Sequence, residues 1–538
     1  MGDEAFALGA IDAGLSGAYA YPGTPSTEIM EFVQNNALAR ERGIHCHWSS
    51  NEKTAYEEAL GMSFCGKRAT VSMKHVGVNV AADPFINSAM TGVGGGLILA
   101  AADDPSMHSS QNEQDSRFYA AFAFVPVLEP CNQQEAYDMA PYGFELSEKF
   151  EIPVMVRFVT RLSHSRGDVT PVSEPTPQKD LAFPDPSKAS RWVLMPGNSR
   201  RRYPQVLDTY ARLEDESCRS PYNRLCGGTD SRVGIIVSGI AWNYLNELYP
   251  QGIPYPTLKI GQYPMPKKLV EQLADRCDSL LVVEEGQPFI ETDIRGVLPT
   301  PLPVYGRLSG HLPRTGELTP DAIREGLHKI VPDDTATLPT DTFASSAIVR
   351  PRPPQLCQGC GHRDVFTALN AVLAEYDNPR VFGDIGCYTL GWLSPFNAID
   401  TVVDMGASIT MAKGAADAGQ HPSLAIIGDS TFTHSGMTGL LDAINENTNC
   451  TVIISDNLTT AMTGGQDSQG TGKLESICIG LGAHPDHVRT IDSLPKNHEE
   501  IKRVFREEID YPGLSVVISR RECIQTARRH NAAAAKKN

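Results

Sequence analysis

No stretch of eighteen uninterrupted apolar residues occurs in this 538-residue chain, although 41% of its residues are hydrophobic. A membrane-spanning helix needs about 20 such residues, so the sequence excludes a membrane span. The N-terminal stretch MGDEAFALGAIDAGLSG carries acidic residues where a secretory signal peptide needs basic ones. We therefore expect a cytoplasmic protein.

Positive charge is also scarce, because 47 Lys and Arg residues stand against 64 Asp and Glu residues, giving a net charge of -17. Nucleic-acid binding draws most of its affinity from Lys and Arg on phosphates, so a nucleic-acid partner is not expected. The chain has twelve cysteines. In a cytoplasmic protein these are reduced thiols, metal ligands or core residues rather than disulfides.

Apolar strand-like runs alternate with helix-length segments along almost the whole chain, which is typical of parallel α/β layers. A chain of 538 residues is too long for one compact core. Polar stretches rich in proline predict linkers at residues 170–190 and 331–354. The sequence therefore predicts three α/β domains, at residues 1–170, 190–330 and 350–525.

Thirteen runs are predicted to form the strands of these domains. In the first domain they are SGAYAYPG, IHCHWSS, ATVSMKH, GGLILAAAD and PVMVRFV. In the second they are RVGIIVSGI, TLKIG and SLLVVEE, with an amphipathic helix at PKKLVEQLADRC. In the third they are RVFGDIGC, AIDTVVDMG, LAIIGD, CTVIISDN and GLSVVIS.

Polar pairs close two neighbouring runs of the third domain. LAIIGD ends at Asp429, and CTVIISDN ends at Asp456 and Asn457. In an open parallel sheet, ligands bind at the carboxyl ends of the strands. Ser430, Thr431 and the helix after them can offer hydroxyl and N–H groups to a diphosphate, and the oxygens of Asp429 and Asn457 suit magnesium. The alternative is that both pairs are ordinary turn formers.

The stretch from Gly428 to Asn457 resembles the thiamine diphosphate motif, which starts Gly-Asp-Gly and ends in Asn. Ser430 replaces the second glycine of that motif. The resemblance implies that magnesium is bound by Asp429, by the side chain of Asn457 and by the backbone carbonyl of Thr459.

Thiamine enzymes also need a carboxylic acid that hydrogen-bonds the aminopyrimidine ring of the cofactor. In SSNEKTAYEEALGMSF, Glu52 follows a predicted strand and begins a helix. Pyrimidine-binding domains carry their acid at this place. The commoner alternative is a helix N-terminal acid favoured by the helix dipole, and Glu57 and Glu58 are further candidates.

Longer motifs extend the resemblance to a family. YPGTPSTEI, KHVGVNVAADPFINSAMTG, ADDPSMHSSQNEQDSRFYA, CQGCGHR, GDIGCYTLG and DNLTTAMTGGQ together resemble the α subunits of indolepyruvate ferredoxin oxidoreductases, within the 2-oxoacid:ferredoxin oxidoreductase superfamily. The resemblance runs from near residue 1 to about residue 525. It implies thiamine diphosphate-binding folds in the outer domains and a middle domain like the transketolase C-terminal domain.

The same resemblance implies an activity and its partners. The reaction would be oxidative decarboxylation of an arylpyruvate, such as indolepyruvate, with coenzyme A, giving an aryl-acetyl-CoA and carbon dioxide. Electrons would pass through a [4Fe-4S] cluster to ferredoxin or another acceptor. A smaller β subunit would complete the active site, in an α2β2 heterotetramer.

Four cysteines are candidate cluster ligands: Cys357, Cys360, Cys387 and Cys523. All four stand at the ends of predicted elements in the third domain, and four thiolates suit a [4Fe-4S] cluster. The superfamily places a proximal cluster on this pattern, although zinc remains an alternative. The other eight cysteines are expected to be core thiols.

Relatives usually continue into a ferredoxin-like domain, whereas this sequence stops fifteen residues after Cys523. We therefore expect about four irons per chain and no distal clusters.

The resemblance also implies contacts with the substrate and the cofactor. Thr24 in YPGTP matches a position that contacts the 2-oxo acid, and Gly386 in GDIGCYTLG joins the cofactor-binding residues. Arg117 can pair with the substrate carboxylate, or it can form a structural salt bridge. His75 and Asn79 in KHVGVN would face the cofactor, or they would form a satisfied polar pair in a turn.

Two other functions compete with this interpretation. A non-oxidative thiamine-dependent 2-oxo acid decarboxylase would release an aldehyde and need no cluster, so the four cysteines argue against it. A non-catalytic scaffold that only binds its partner is the second alternative.

Overall fold

The computed structural model describes residues 1–182, 192–298, 302–337 and 352–537. The chain forms two compact units, Met1–Phe343 and Ala344–Asn538. Among the described residues, no helix is both long and apolar enough to cross a membrane. All twelve cysteines are free thiols.

A seven-stranded sheet organises the start of the first unit. Its strands are β1 (Gly17–Ala20), β2 (His45–Trp48), β3 (Ala69–Lys74), β4 (Leu97–Asp103), β5 (Val127–Leu128), β6 (Val154–Val159) and β10 (Gln262–Tyr263). The strand order is β10-β5-β6-β4-β3-β1-β2, and only the β10–β5 pair is antiparallel. The five predicted strands of this region are confirmed. Strands β5 and β10 were missed because two residues are too few to show a periodicity.

Nine helices accompany this sheet in the described residues. They are α1 (Gly2–Asp12), α2 (Thr27–Asn35), α3 (Ala37–Glu41), α4 (Glu52–Phe64), α5 (His75–Val80), α6 (Ala82–Thr91), α7 (Ser116–Phe122), α8 (Gln133–Phe150) and α9 (Thr160–His164). Strands β3, β4 and β6 are buried along their whole length. This burial explains why the strands read as continuous apolar runs rather than as alternating ones.

A five-stranded sheet follows in the same unit. Its strands are β7 (Arg224–Cys226), β8 (Gly234–Ser238), β9 (Thr257–Ile260), β11 (Leu280–Val283) and β12 (Val304–Tyr305), in the order β12-β11-β8-β9-β7. The helices are α10 (Pro196–Ser217), α11 (Ala241–Leu248), α12 (Lys267–Ala274), α13 (Phe289–Val297) and α14 (Pro320–Ile330). The three predicted strands and the predicted helix at PKKLVEQLADRC are confirmed.

The second unit is built on a six-stranded parallel sheet. Its strands are β13 (Arg380–Gly383), β14 (Thr401–Val402), β15 (Ser423–Gly428), β16 (Thr451–Asp456), β19 (Val488–Asp492) and β20 (Ser515–Arg520), in the order β14-β13-β15-β16-β20-β19. A small antiparallel pair, β17 (Thr459–Thr460) and β18 (Gln466–Asp467), stands apart from it. The five predicted strands are confirmed, and edge strand β19 was missed because it is polar and partly exposed.

The helices of the second unit are α15 (Gly361–Leu373), α16 (Ala407–Asp417), α17 (Asp429–Thr431), α18 (Met437–Asn445), α19 (Leu474–Gly480), α20 (His498–Ile509) and α21 (Ile524–Lys537). A π-helical turn, Phe432–Gly436, joins α17 to α18. Together the two units confirm the predicted class of parallel α/β sheets.

The described part of the first predicted linker, residues 170–182, has no helix or strand. It nevertheless packs along the first unit, because Thr176 N–H donates to the Asp12 carbonyl at 2.7 Å and Ala182 N–H donates to the Cys65 carbonyl at 3.0 Å. Residues 183–190 of this linker and 338–351 of the second lie outside the described residues. Strand β10 joins the first sheet although it comes from the second predicted domain. The three predicted domain boundaries stay a prediction.

Candidate functional site

Asp429 stands at the carboxyl edge of the second unit's sheet. Parallel pairing of β15 with β16 aligns Gly428 with Ser455, so the two residues that follow, Asp429 and Asp456, are neighbours. Asp429 is 2% exposed, and its Oδ2 atom has no hydrogen-bond partner among the described residues. Burial, reinforced by Asp456, raises the pKa of Asp429 to about 7. A buried carboxylate oxygen without a donor fits a ligand for a cation.

Asn457 lies in a tight turn directly after β16. Its Oδ1 atom accepts the N–H of Thr459 at 3.1 Å, and Leu458 between them has a φ of 64°. The hydroxyl of Thr459 donates to the Gln466 carbonyl at 2.9 Å, which ties the turn to β18. The three predicted magnesium ligands, Asp429, Asn457 and Thr459, therefore follow two adjacent strands, β15 and β16, of one sheet.

The hydroxyls predicted to bind a diphosphate already form hydrogen bonds within the protein. Thr431 donates to the Ile385 carbonyl at 2.9 Å. Ser430 and Thr460 share one hydrogen bond of 2.8 Å between their hydroxyl oxygens. That pair leaves one hydroxyl hydrogen for a phosphate oxygen, whereas Thr431 has used its own.

A buried polar network is centred on Asp384, which directly follows strand β13. The sequence did not predict this network. The Asp384 carboxylate accepts hydrogen bonds from the hydroxyl of Tyr388, from Ser408 Oγ at 2.7 Å and from Gly406 N–H at 3.0 Å. Burial raises the pKa of Asp384 to about 6. The sequence signal that could have revealed this network is an acid, Asp384, directly after strand β13, followed by an aromatic residue, Tyr388, among glycines.

The ring of Tyr388 explains two glycines of the motifs. A Cβ atom on Gly428 would lie 2.7 Å from a ring carbon of Tyr388, and one on Gly386 would lie 2.3 Å from it. Neither distance is compatible with a side chain. Gly386 and Gly428 therefore allow the ring of Tyr388 to pack against the backbone at the end of β15.

All four predicted cluster cysteines line one cavity of about 110 Å³ in the second unit. Cys357 and Cys360 precede α15, Cys387 follows β13, and Cys523 precedes α21. Burial, with the other three thiols, raises the pKa of Cys387 to about 12. Among the described residues, no three His, Cys, Asp or Glu side chains are grouped as ligands of a single metal ion.

The cavity lined by the four cysteines, here called the cysteine cavity, lies next to the end of the sheet that carries Asp429. Asp456 and Asn457 line it together with the thiols. The N–H of Cys523 donates to the Asn457 carbonyl at 3.0 Å, and the N–H of Arg521 donates to the Asp456 carbonyl at 2.9 Å. The candidate magnesium ligands and the candidate cluster ligands are thus neighbours within one unit.

In the first unit, Glu52 begins helix α4 and is 6% exposed. Asn51 caps the helix by accepting the N–H of Thr54 at 2.8 Å. A Cβ atom on Gly77 would lie 2.6 Å from Glu52 Oε1, so only glycine lets α5 approach this carboxylate. The fallback candidates differ, because Glu57 is exposed and paired with Lys53, and Glu58 accepts the hydroxyl of Ser49 at 2.6 Å.

His75 begins α5 and is completely buried. Neither of its ring nitrogens has a hydrogen-bond partner among the described residues, and burial lowers the pKa of the imidazole. Asn79 is exposed and accepts the hydroxyl of Tyr119. His75 and Asn79 therefore do not form the polar pair that the sequence left open. Thr24 is half-buried in the loop before α2.

Arg117 is held in a buried ion network of the first unit. Its guanidinium pairs with Asp115 at 2.5 Å and with Glu284 at 2.9 Å. It also donates to the backbone carbonyls of Glu285 and Gln287, both at 3.1 Å. Because these partners occupy its donors, the structure favours the structural salt bridge over a contact with the substrate carboxylate.

Two family descriptions match this chain. Residues 8–202, which contain Thr24, Glu52 and His75, match "Pyruvate flavodoxin/ferredoxin oxidoreductase, thiamine diP-bdg". Residues 384–519, which contain Asp429 and Asn457, match "Thiamine pyrophosphate enzyme, C-terminal TPP binding domain".

Three relatives match over nearly the whole chain. The indolepyruvate oxidoreductase subunit IorA of Archaeoglobus fulgidus is 38% identical, covering 97% of this chain and 86% of its own length. The IorA subunit of Thermococcus kodakarensis is 38% identical, with coverages of 97% and 85%. That of Methanothermobacter thermautotrophicus is 36% identical, with coverages of 97% and 86%.

Proposed function

Because this chain belongs to the IorA family of indolepyruvate oxidoreductase subunits, we propose that it catalyses the oxidative decarboxylation of an arylpyruvate with coenzyme A. The substrate is an indolepyruvate-like 2-oxo acid, and the products are an aryl-acetyl-CoA and carbon dioxide. Two electrons leave one at a time through a [4Fe-4S] cluster to ferredoxin. A smaller β subunit completes the enzyme as an α2β2 assembly.

One observation carries this proposal. The cavity of the four cysteines is also lined by Asn457, and Asn457 follows the strand that pairs with the strand ending before Asp429. The second unit therefore holds a candidate redox centre directly beside a candidate diphosphate site. An oxidative reaction requires that proximity, whereas a non-oxidative decarboxylase has no use for it.

The residues present fit magnesium and a diphosphate. Asp429 offers a buried oxygen that has no hydrogen-bond partner within the described ranges, and we assign Asn457 and the Thr459 carbonyl as the other protein ligands of magnesium. Gly428, Gly386 and the hydroxyl shared by Ser430 and Thr460 would surround the diphosphate. Thiamine diphosphate, when bound, supplies a thiazolium ring that acts as the electron sink for loss of carbon dioxide.

Residues of the first unit handle the proton and the substrate. Glu52 would hold a proton against the aminopyrimidine ring, and its burial keeps water from competing for that hydrogen bond. His75 is buried, and its ring has no hydrogen-bond partner in the part of the chain that the structure describes, so its neutral imidazole can donate one hydrogen bond to the 2-oxo acid. Thr24 would contact the same acid through its hydroxyl. Arg117 has no role here, because its donors are already used.

The arrangement of the thiols favours iron–sulfur over zinc. A zinc ion draws its four thiolates to one point. In a [4Fe-4S] cluster each cysteine binds a different iron atom, so the sulfurs stand around a cavity instead. The four cysteines line a cavity of about 110 Å³.

The test is anaerobic turnover of the chain with its β subunit against a panel of 2-oxo acids, with and without coenzyme A. We expect aryl substrates to reduce ferredoxin fastest, with formation of a thioester that depends on coenzyme A. Release of an aldehyde by iron-free protein would instead establish the non-oxidative decarboxylase. No turnover of any 2-oxo acid by the complete complex would establish the scaffold.

A further inference from the structure

Gln525 lies two positions beyond the last cluster cysteine and belongs to none of the motifs that carry the family resemblance. It stands in the first turn of α21 and lines the cysteine cavity. Its side-chain Nε2 donates a hydrogen bond to the sulfur of Cys357 at 3.5 Å. This is a side-chain donor directed at one of the four candidate cluster sulfurs.

The helix that carries Gln525 is anchored at its start. Ala527 N–H donates to the Cys523 carbonyl at 2.9 Å, and Cys523 N–H donates to Asn457. The guanidinium of Arg529 donates to the Gly464 carbonyl. These bonds fix the first turn of α21 against the loops after β16, so the amide of Gln525 is held beside Cys357.

Arg521, a charged donor that also lines the cavity, is already occupied. Arg521 pairs with Asp364 at 2.7 Å and donates to the Ser493 carbonyl at 3.1 Å. Its charge is therefore compensated by a neighbouring carboxylate. Cys357 is the exposed member of the four cysteines, whereas the other three are partly buried. The Cys357 sulfur accepts the Gln525 amide, whereas Arg521 is held by its own partners.

A hydrogen bond to a cluster sulfur stabilises the reduced state, because reduction adds negative charge to the sulfurs. We propose that Gln525 raises the reduction potential of the proximal cluster by donating to the Cys357 sulfur. This inference rests on the proposed function, since it needs the cluster. Gln525 is a positioning residue, because it acts on the cluster through Cys357 and touches neither substrate nor thiamine diphosphate. A higher potential makes the cluster a better acceptor for the electrons that decarboxylation releases.

The test is an anaerobic redox titration of the purified holoenzyme, followed by the EPR signal of the reduced cluster. Gln525→Leu removes the donor, and we expect a more negative midpoint potential with unchanged iron content. Gln525→Glu keeps the side-chain shape but replaces the donor with a negative charge, so its potential should fall further. Gln525→Lys keeps a donor and adds a positive charge, so its potential should equal or exceed that of the unsubstituted enzyme.

Gln355→Leu is the matched control, because Gln355 lines the same cavity and donates to no cysteine sulfur in the structure's described part. Its potential should not change. Unchanged potentials in Gln525→Leu and Gln525→Glu, with the cluster intact, would overturn the inference alone. Absence of iron from the unsubstituted enzyme would overturn the proposed function and the inference together.

Discussion

The backbone N–H of Cys523 donates to the backbone carbonyl of Asn457 at 3.0 Å. The two residues follow adjacent parallel strands, β20 and β16, whose register pairs Arg520 with Asp456. A candidate cluster ligand and a candidate magnesium ligand are therefore joined by one backbone hydrogen bond at the carboxyl ends of these strands. Two paired strands therefore hold both residues next to each other.

Glu52→Gln should lower turnover by at least about 100-fold, because the amide cannot exchange a proton with the aminopyrimidine ring. Bound thiamine diphosphate should remain, since the acid does not hold the diphosphate. The measurements are the steady-state rate of ferredoxin reduction and the thiamine content of the purified complex.

Glu57→Gln is the control, since it makes the same change on the same helix at an exposed residue paired with Lys53. Its rate should stay within about twofold of the unsubstituted enzyme. A normal rate in Glu52→Gln would remove Glu52 from the site and direct attention to Glu58.

Asp429→Asn should weaken magnesium-dependent binding of thiamine diphosphate by at least about 100-fold, because it removes an anionic ligand of the metal. Titration calorimetry of the complex without bound magnesium measures this binding affinity directly. Asp442→Asn, at an exposed position of α18, should bind as the unsubstituted chain does. Equal affinities for the two variants would contradict the magnesium assignment.

Tyr388→Phe should destabilise the second unit by about 1–3 kcal/mol, because it removes a donor from the buried carboxylate of Asp384. Urea unfolding provides the measurement. Tyr376→Phe removes a hydroxyl that donates to Asp510 at 2.8 Å near the surface, and it should cost no more than about 0.5 kcal/mol. Similar costs for both changes would show that the Asp384 network contributes little.

Asp3→Asn should remove a pH dependence of stability from the first unit. Burial raises the pKa of Asp3 from 3.8 to about 8, and neither carboxylate oxygen has a hydrogen-bond partner among the described residues. As pH rises from 3.8 towards 8, the unfolded chain loses this proton while the folded chain keeps it. Stability therefore falls with rising pH, by up to about 1.4 kcal/mol per pH unit.

Unfolding of Asp3→Asn and of the unsubstituted chain should be compared at pH 5 and pH 8. The stabilisation by asparagine should be larger at pH 8. Asp83→Asn, at an exposed position of α6, should show no such difference. The same stabilisation by Asp3→Asn at both values would mean that the buried carboxyl does not stay protonated.

The sequence predicted the sheets and the strand ends well, because apolar runs and the polar residues that close them are local signals. Asp429, Asn457 and the four cysteines were proposed as site residues in this way, and their roles stay a prediction. Arg117 was harder, since its partners include Glu284, which is remote in sequence and follows strand β11 of the second sheet. No local pattern shows that a charged side chain has already found its partners.

The hydrogen bond from Thr431 to the Ile385 carbonyl could not be predicted from the sequence either. A hydroxyl at a helix start looks the same in sequence whether it meets a ligand or a neighbouring loop. Tyr388 illustrates the reverse case, because its position among glycines in GDIGCYTLG reports a packing requirement that only the close approach to Gly428 explains.

The central claim is that this chain couples thiamine chemistry to an iron–sulfur cluster. The most direct measurement is EPR spectroscopy of the anaerobic holoenzyme, frozen after addition of indolepyruvate without an external electron acceptor. We expect the EPR signal of a reduced [4Fe-4S] cluster to appear together with the release of carbon dioxide. The chain of the protein used should carry about four iron atoms. Carbon dioxide and aldehyde formed without any such signal would contradict the claim.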